Sequence, residues 1–470
     1  MPPLIAQRWH SVPKGIAGEA GDPRLERELG WSEGTIALLR WCFTRGMTRS
    51  DGLEADALPE SVKCAARVFR RGIDCRDSGT KGSRDERDEA GAYRIDVIPG
   101  GGAGAKLPDP VLDTLRSDRF VVLDGRVASL WTSRLALQPG CLLSLDEHSK
   151  TLDSVADVLR AWRAAGAQKN WTIVGGGLLT DVAAFAADLV GIRPTFVPTT
   201  LLAMADACVG GKTGVNFPPW GKNQVGTFAF PERVVVWTGW LSTLPERELH
   251  AGGAECLKHA LLTGDRTLFD ELGSALHARS TEKLAELLPR VIRIKVDVVN
   301  EDPLETGKRA ILNFGHTLGH ALESLSQART TGAATLLHGE AVALGMAYAA
   351  IASEKFGGLS KSDSNVIWRG IGASRCLMRS GDLARALGAK MLMAGDLWPE
   401  LFNLMTGDKK NLSGKGARGD ATSKRPKEVS LVLLSGFGQI AKSTDGGWTI
   451  PVGESDLAAA WLEFVARLPA

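Results

Sequence analysis

Residues 170–191 read NWTIVGGGLLTDVAAFAADLVG. The apolar run at the start is too short for a helix and reads as a buried strand. Three glycines close it, and the alanine-rich continuation reads as a helix. A strand that runs through glycines into a helix is half of a βαβ unit. Working outward, YRIDVIP (93–99) alternates like a strand, RFVVLD (119–124) is a short apolar strand ending in Asp124, and DSVADVLRAWRAAG (153–166) has helical periodicity. PTFVPTT (194–200) and RVVVWT (233–238) add further strands. Strands alternating with helices imply a parallel α/β layer. After about Leu244 the strand signal fades and long helical segments follow: 247–264, 285–302, 309–325 and 338–357. The expectation is therefore a Rossmann-like nucleotide-type α/β domain over 93–243, followed by a mostly α-helical domain over 244–470.

The first 92 residues differ in character. WSEGTIALLRWCFTRGM (31–47) and PESVKCAARVFRRGI (59–73) each fit an amphipathic helix, and the polar, charged stretch 74–92 reads as a disordered linker. No chemistry attaches to this extension. Two later stretches, SKSDSNVIWRG (360–370) and SGKGARGDATSKRPKE (413–428), read as surface loops.

Of 470 residues, 44% are hydrophobic and 23% charged, ordinary for a globular protein and enough for two domains plus an appendage. A formal net charge of +2 gives no reason to expect nucleic acid or an anionic membrane as a partner. Seven cysteines without paired spacing argue against a disulfide framework and fit a reducing compartment. The N-terminus lacks the basic-then-apolar pattern of a signal peptide, and no uninterrupted apolar run reaches the roughly 18 residues of a membrane span. A cytoplasmic location is expected.

Three places carry chemistry. Gly175, Gly176 and Gly177 let backbone N–H groups approach a pyrophosphate at a helix N-terminus, although a tight structural turn needs the same residues and the spacing is not G-x-G-x-x-G. DACVGGKTGVNFPPWGKN (206–223) places Lys212 and Lys222 in one loop with the neutral donors Asn216 and Asn223, either as an oxyanion pocket or as a solvated basic loop. The third is the helical region where three of the chain's eight histidines gather. His316 and His320 are four residues apart and share a helix face, and His338 opens the next helix. Glu255 lies on an apolar helix, where a carboxylate needs a partner. A glutamate with two or three histidines is a zinc set, while satisfied core histidines are the competing reading; spacing does not decide which two would bind.

These motifs together resemble 3-dehydroquinate synthase of the sugar-phosphate cyclase superfamily from Tyr93 to the C-terminus. The segments that carry the resemblance are VGGGLLTDVAAF, VPTTLLAMADACVGGKTGVN, GKN, LSTLPERELHAGGAECLKHALL, RAILNFGHTLGHALE, LHGEAVALGM and DKKN. The resemblance implies a phosphate-eliminating carbon–oxygen lyase of the shikimate pathway, which serves aromatic amino acid biosynthesis by way of chorismate. It would convert 3-deoxy-D-arabino-heptulosonate 7-phosphate, a phosphorylated seven-carbon keto-acid sugar, into 3-dehydroquinate. NAD would serve as a regenerated hydride carrier with a divalent metal, zinc or cobalt, in a homodimer. By the same resemblance the metal ligands are Glu255, His316 and His338, and His320 lies near the substrate phosphate. The NAD positions are Asp124, Glu147, Lys150, Gly175, Gly176, Gly177, Asp181, Thr199, Thr200, Asp206, Lys222, Thr243, Leu244 and Glu248. The substrate positions are Lys212, Asn223, Lys258, Lys295, Arg309, Asn313 and Lys409, the last preferred over Lys410. Lys258 follows Glu255 by three residues, so both point to one helix face.

Lys295 and Arg309 resemble the pair that holds the substrate carboxylate. Cyclases on sedoheptulose 7-phosphate or glucose 6-phosphate have no such carboxylate to hold, so the pair favours dehydroquinate synthase over them; a metal-dependent polyol dehydrogenase is a further alternative. Two positions depart from the family pattern. Val190 stands where an arginine usually reaches a phosphate, and Arg193 is the nearby candidate to replace it. Arg126 stands near the expected nucleotide ribose, where it would bear on NAD against NADP if it did not simply face solvent.

Overall fold

The computed structural model describes residues 73–77, 93–100, 105–115, 119–135, 139–217, 221–303, 305–393, 397–406 and 428–469. The helices expected at 31–47 and over 59–72 lie outside the described residues, as do Lys409 and the loop 413–427. The chain divides into two compact units, with the boundary between Thr243 and Leu244.

The first unit is built on a seven-stranded sheet. Its strands are β1 (Ile73–Asp77), β2 (Tyr93–Ile98), β3 (Phe120–Asp124), β4 (Cys141–Leu143), β5 (Trp171–Gly175), β6 (Thr195–Pro198) and, after the short antiparallel pair β7 (Val215–Phe217) and β8 (Gly221–Val225), β9 (Arg233–Trp237). Their order is β1-β2-β9-β6-β5-β3-β4, and every neighbouring pair is parallel. The helices α1 (Asp109–Leu112), α2 (Gly125–Leu135), α3 (Leu152–Ala164) and α4 (Gly177–Leu189) connect them. All five residues of β5 are buried, as are nine of the thirteen of α4, which is what a parallel sheet covered by helices requires. Trp131 on α2 packs edge-to-face on Trp237 and Trp240, with ring centroids 5.5 and 4.8 Å away.

The strand β1 corrects the expected linker. Residues 74–77 pair in parallel with β2 instead of forming part of a disordered segment. Their charged sequence suits a sheet edge, which tolerates and even favours charge.

The second unit is mostly helical: α5 (Glu246–Leu262), α6 (Arg266–Ala278), α7 (Thr281–Glu301), α8 (His316–Arg329), α9 (His338–Ala352), α10 (Lys361–Ala373), α11 (Ser380–Ala386), α12 (Leu397–Thr406) and α13 (Glu454–Arg467). Small antiparallel pairs, Glu428–Leu431 with Ile450–Gly453 and Leu434–Gly436 with Gln439–Ile440, add strands that the fading sequence signal did not announce. The stretch 360–370 is not a loop. Ser360 caps α10 by accepting from the Asp363 backbone N–H, and Ser364, Ile367 and Ile371 form its buried stripe. Nor is 309–325 one continuous helix: a 3-10 turn, Lys308–Asn313, ends at Phe314, and Gly315, at φ +79°, breaks the chain before α8.

The segment Gly332–Gly357 is long and apolar enough by composition to cross a membrane, yet most of it is buried inside the unit, with α9 packed between neighbouring helices. Its N-terminus approaches α5 closely. A Cβ on Gly339 would lie 1.8 Å from the Ala251 carbonyl oxygen, so only glycine lets the two backbones meet there.

Candidate active site

In the second unit the three predicted ligands converge. Donor atoms of Glu255, His316 and His338 all lie within 4.8 Å of one another. The Nε2 atoms of His316 and His338 are each 3.4 Å from Glu255 Oε1, while Lys258 Nζ pairs with Glu255 Oε2 one turn along α5. Glu255 is 0% exposed, an environment that disfavours a carboxylate unless cations surround it. His320 stands one turn after His316, its ring centroid 5.2 Å from that of His316 and 5.9 Å from that of His338. Two imidazoles from α8 and one from the start of α9 therefore gather here, and the two that approach Glu255 are His316 and His338.

Each nitrogen of His338 faces a carboxylate: Nε2 faces Glu255, and Nδ1 lies 3.4 Å from Glu323 Oε2. Burial works against a charged imidazole here, but the hydrogen bonds and charges of Glu255 and Glu323 outweigh it and raise the His338 pKa from 6.5 to about 10. A site that holds a proton so firmly between acids offers a cation the same electrostatics. A buried carboxylate, two imidazoles that a bound cation would hold neutral and an outer carboxylate on the far nitrogen fit a divalent metal of the zinc type.

Of the other positions expected for substrate in this unit, Lys295 and Arg309 are both buried, and the Asn313 Nδ2 donates to Glu305 Oε1 at 2.9 Å. Arg309 sits in a loop organised by Asp302, whose carboxylate accepts from the backbone N–H groups of Thr306, Gly307 and Arg309 at 2.9, 2.7 and 2.9 Å. The Arg309 Nη1 donates to the Pro303 carbonyl at 2.7 Å. Leu244 and Glu248 lie at the start of this unit, Glu248 in the first turn of α5.

In the first unit, β4 pairs on one side of β3 and β5 on the other, so the chain reverses direction across the sheet at β3/β5. Ligands of doubly wound sheets bind at such switch points, beyond the carboxyl ends of the strands. Asp124 ends β3 and Gly175 ends β5; a Cβ on Gly175 would fall 3.1 Å from the Asp124 Cβ. Gly176 is the N-cap of α4, and no side chain of the described residues caps that helix. Thr199 and Thr200 follow β6, and Asp206 lies in the π-helical turn Ala203–Ala207.

Charged residues knit the adjoining loop together. Lys150 Nζ donates to Asp181 Oδ2 at 2.6 Å and to Asn223 Oδ1 at 2.5 Å. Burial pushes the Asp181 carboxyl up, and Lys150 opposes it. Lys222 Nζ lies 3.1 Å from Glu147 Oε1, to which Asn216 Nδ2 also donates at 3.0 Å. Positions expected for NAD (Glu147, Lys150, Asp181, Lys222) thus share one network with Asn223, expected for substrate. Lys212 is exposed and bridges to Phe228. Thr243 accepts from the Trp131 indole at 3.0 Å.

At the two departures, Arg193 donates to the carbonyls of Pro231 and Phe230 at 2.7 and 3.4 Å, which ties it to the turn before β9. Arg126 is exposed in the first turn of α2. Glu323, Asp302, Arg247 and Glu340 shape the site without having been singled out from sequence. The one visible signal was Glu323, seven residues after His316 on the same helix face.

A Rossmann-like sheet, a helical unit and a Glu-His-His cluster beside a lysine define the class, a nucleotide- and metal-dependent enzyme. The model of the 3-dehydroquinate synthase N-terminal domain matches residues 141–251, and that of the C-terminal domain matches 252–411. The chain belongs to the 3-dehydroquinate synthase family. It is 36% identical over 399 residues to the 3-dehydroquinate synthase of Geobacillus kaustophilus (strain HTA426), covering 81% of this chain and 97% of the relative. It is 37% identical over 348 residues to that of Synechococcus sp. (strain CC9605), covering 68% and 86%. Among solved structures, it resembles 2-epi-5-epi-valiolone synthase from Streptomyces hygroscopicus subsp. jinggangensis 5008 with NAD+ and Zn2+ bound, at 26% identity and TM-score 0.62, over 83% of this chain and 99% of that one. It also resembles 2-deoxy-scyllo-inosose synthase complexed with carbaglucose-6-phosphate, NAD+ and Co2+, at 27% identity and TM-score 0.58, over 78% and 96%.

Proposed function

We propose that the chain is a carbon–oxygen lyase that converts 3-deoxy-D-arabino-heptulosonate 7-phosphate into 3-dehydroquinate and phosphate, as a cytoplasmic homodimer. In this reading Glu255, His316 and His338 hold a divalent metal, and the first unit binds NAD at the β3/β5 switch point through Gly175–Gly177, Asp124 and the Lys150–Asp181 network. The observation that carries the reading is the convergence of those three ligand side chains on a point beside Lys258. When bound, the metal supplies Lewis acidity toward substrate hydroxyls, and the nicotinamide supplies a hydride acceptor that is later regenerated.

The protein's own groups then position and balance charge. Lys258 offers an ammonium next to Glu255, where it stabilises negative charge developing on a substrate oxygen. Lys295 and Arg309 bind the substrate carboxylate, and the Asp302 loop orients Arg309. His320 and Asn313 meet the phosphate side of the substrate. Both solved relatives named above are named for other products, and the buried Lys295 and Arg309 are what favour the keto acid for this chain.

The test is purified full-length protein with NAD and zinc, assayed for phosphate release. The keto-acid sugar phosphate should be turned over without net NADH accumulation, and sedoheptulose 7-phosphate should not. Preferential turnover of sedoheptulose 7-phosphate would replace this substrate assignment, and lasting NADH production from a polyol would replace the reaction class.

A further inference from the structure

His316 and His338 are held in different ways. Each opens its helix, but the His316 side chain is 11% exposed and follows the buried Phe314 and Gly315, whereas that of His338 is 32% exposed and comes shortly after a largely exposed stretch, 331–334, that has little core of its own. Packing around Leu336 and Gly339 is joined by a second device that fixes the second ligand. Arg247, on the first turns of α5, grips Glu340 with both arms of its fork, Nε to Oε1 at 2.6 Å and Nη2 to Oε2 at 2.7 Å. The same guanidinium donates to the carbonyls of Ala333 and Thr335, each at 2.7 Å. Glu340 in turn accepts the Leu337 backbone N–H at 2.8 Å, closing the N-terminus of α9 one residue before His338.

We propose that Arg247 and Glu340 form a clamp that positions His338 for metal binding, so that both are positioning residues of the site. The proposal rests on the metal reading given above. Its geometry is that of a ruler. Arg247, Ala251 and Glu255 follow one another at four-residue steps along α5. Arg247 holds the approach to α9, Ala251 meets Gly339 at the closest backbone contact, and Glu255 meets His338. A planar fork that makes four hydrogen bonds cannot be copied by an ammonium. Lysine at 247 keeps the charge and loses the register.

The test measures zinc affinity of the full-length protein by competition with a chromophoric chelator, together with the visible spectrum of the cobalt form and the thermal midpoint. Arg247→Lys and Glu340→Gln should each weaken zinc binding by about 10- to 100-fold, as loss of outer-shell support does elsewhere. Each should also alter the cobalt ligand-field bands, and the double variant should be little worse than either single one, because both remove one device. Ile371→Val, in the α10 core, serves as a variant destabilised elsewhere; it should lower the midpoint and leave zinc affinity unchanged. Zinc affinity within about twofold of wild type for Arg247→Lys, with an unchanged cobalt spectrum, would overturn the clamp while leaving the metal site standing. Wild-type protein that binds no zinc, or His338→Ala that binds it as well as wild type, would overturn the site reading and the clamp with it.

Discussion

At the scale of single residues, the centre of the site is a buried acid surrounded by groups able to carry positive charge. Glu255 has no access to solvent, and Lys258, His316 and His338 surround its oxygens. Of these, Lys258 is the group not needed as a metal ligand and therefore available to the substrate. Replacing it with methionine preserves the shape of the stem and removes the charge. We expect Lys258→Met to lower kcat by on the order of 10²- to 10³-fold in a phosphate-release assay, with zinc content unchanged. Loss of zinc in proportion to activity would instead make Lys258 a structural counter-ion. The individual residues of this centre were readable in sequence as types and spacings, since an i, i+4 histidine pair and an apolar-helix glutamate stand out. The choice of His338 over His320 as the second imidazole beside Glu255 was not readable from spacing and came only from the family resemblance, because it depends on which ring the neighbouring helix brings within reach.

At the scale of elements, the loop between α7 and the 3-10 turn Lys308–Asn313 shows how a backbone can be held by one side chain. Asp302 gathers three backbone donors from the stretch 306–309 and thereby sets where Arg309 emerges. Burial alone would raise its pKa, but these hydrogen bonds outweigh burial and hold the carboxyl below its ordinary value of 3.8. A carboxylate whose folded pKa is depressed stabilises the fold above the unfolded value, and that stabilisation is lost as pH falls through the folded value. Asp302→Asn should therefore cost about 1–3 kcal/mol at pH 7, as removal of a hydrogen-bonded charge does, and progressively less below the usual carboxylate range. Denaturant titrations of the two proteins at neutral and acid pH check this; equal differences at both would show that the charge is not what matters. Element identity was mostly legible from periodicity. The stretch 360–370 was misread because its serines and glycine resemble a loop while its buried stripe is only three residues wide. The break at Gly315 was missed because apolar spacing continues across it.

At the scale of the whole molecule, two units of different architecture lie in one chain, and the first sheet is extended at one edge by β1. Beyond β1, the next strand is β2, with Tyr93, Ile95 and Val97 in the core and its outer backbone edge paired to β1. Two shortened chains, one beginning at residue 70 and one at residue 93, isolate what β1 contributes. The one beginning at residue 93 should melt several degrees lower than the other and aggregate more readily, because an unpaired edge is exposed; a change of about 1 kcal/mol corresponds to roughly 2–4 °C for a domain of this size. Identical midpoints for the two would show that β1 contributes nothing to stability.

What the sequence determined by itself is the alternation of strands and helices, the glycine turn that ends β5, and the inventory of donors. Those follow from local preferences and periodicity, which a chain carries wherever it folds. Only the tertiary structure decided which of those donors meet: that glycine lets α9 touch α5, that Glu255 reaches His316 and His338 together, that Glu323 backs the second imidazole, and that Arg247 spans to Glu340. The physical reason is that such contacts join residues tens of positions apart, and their geometry is set by how closely backbones pack, a quantity with no local signature.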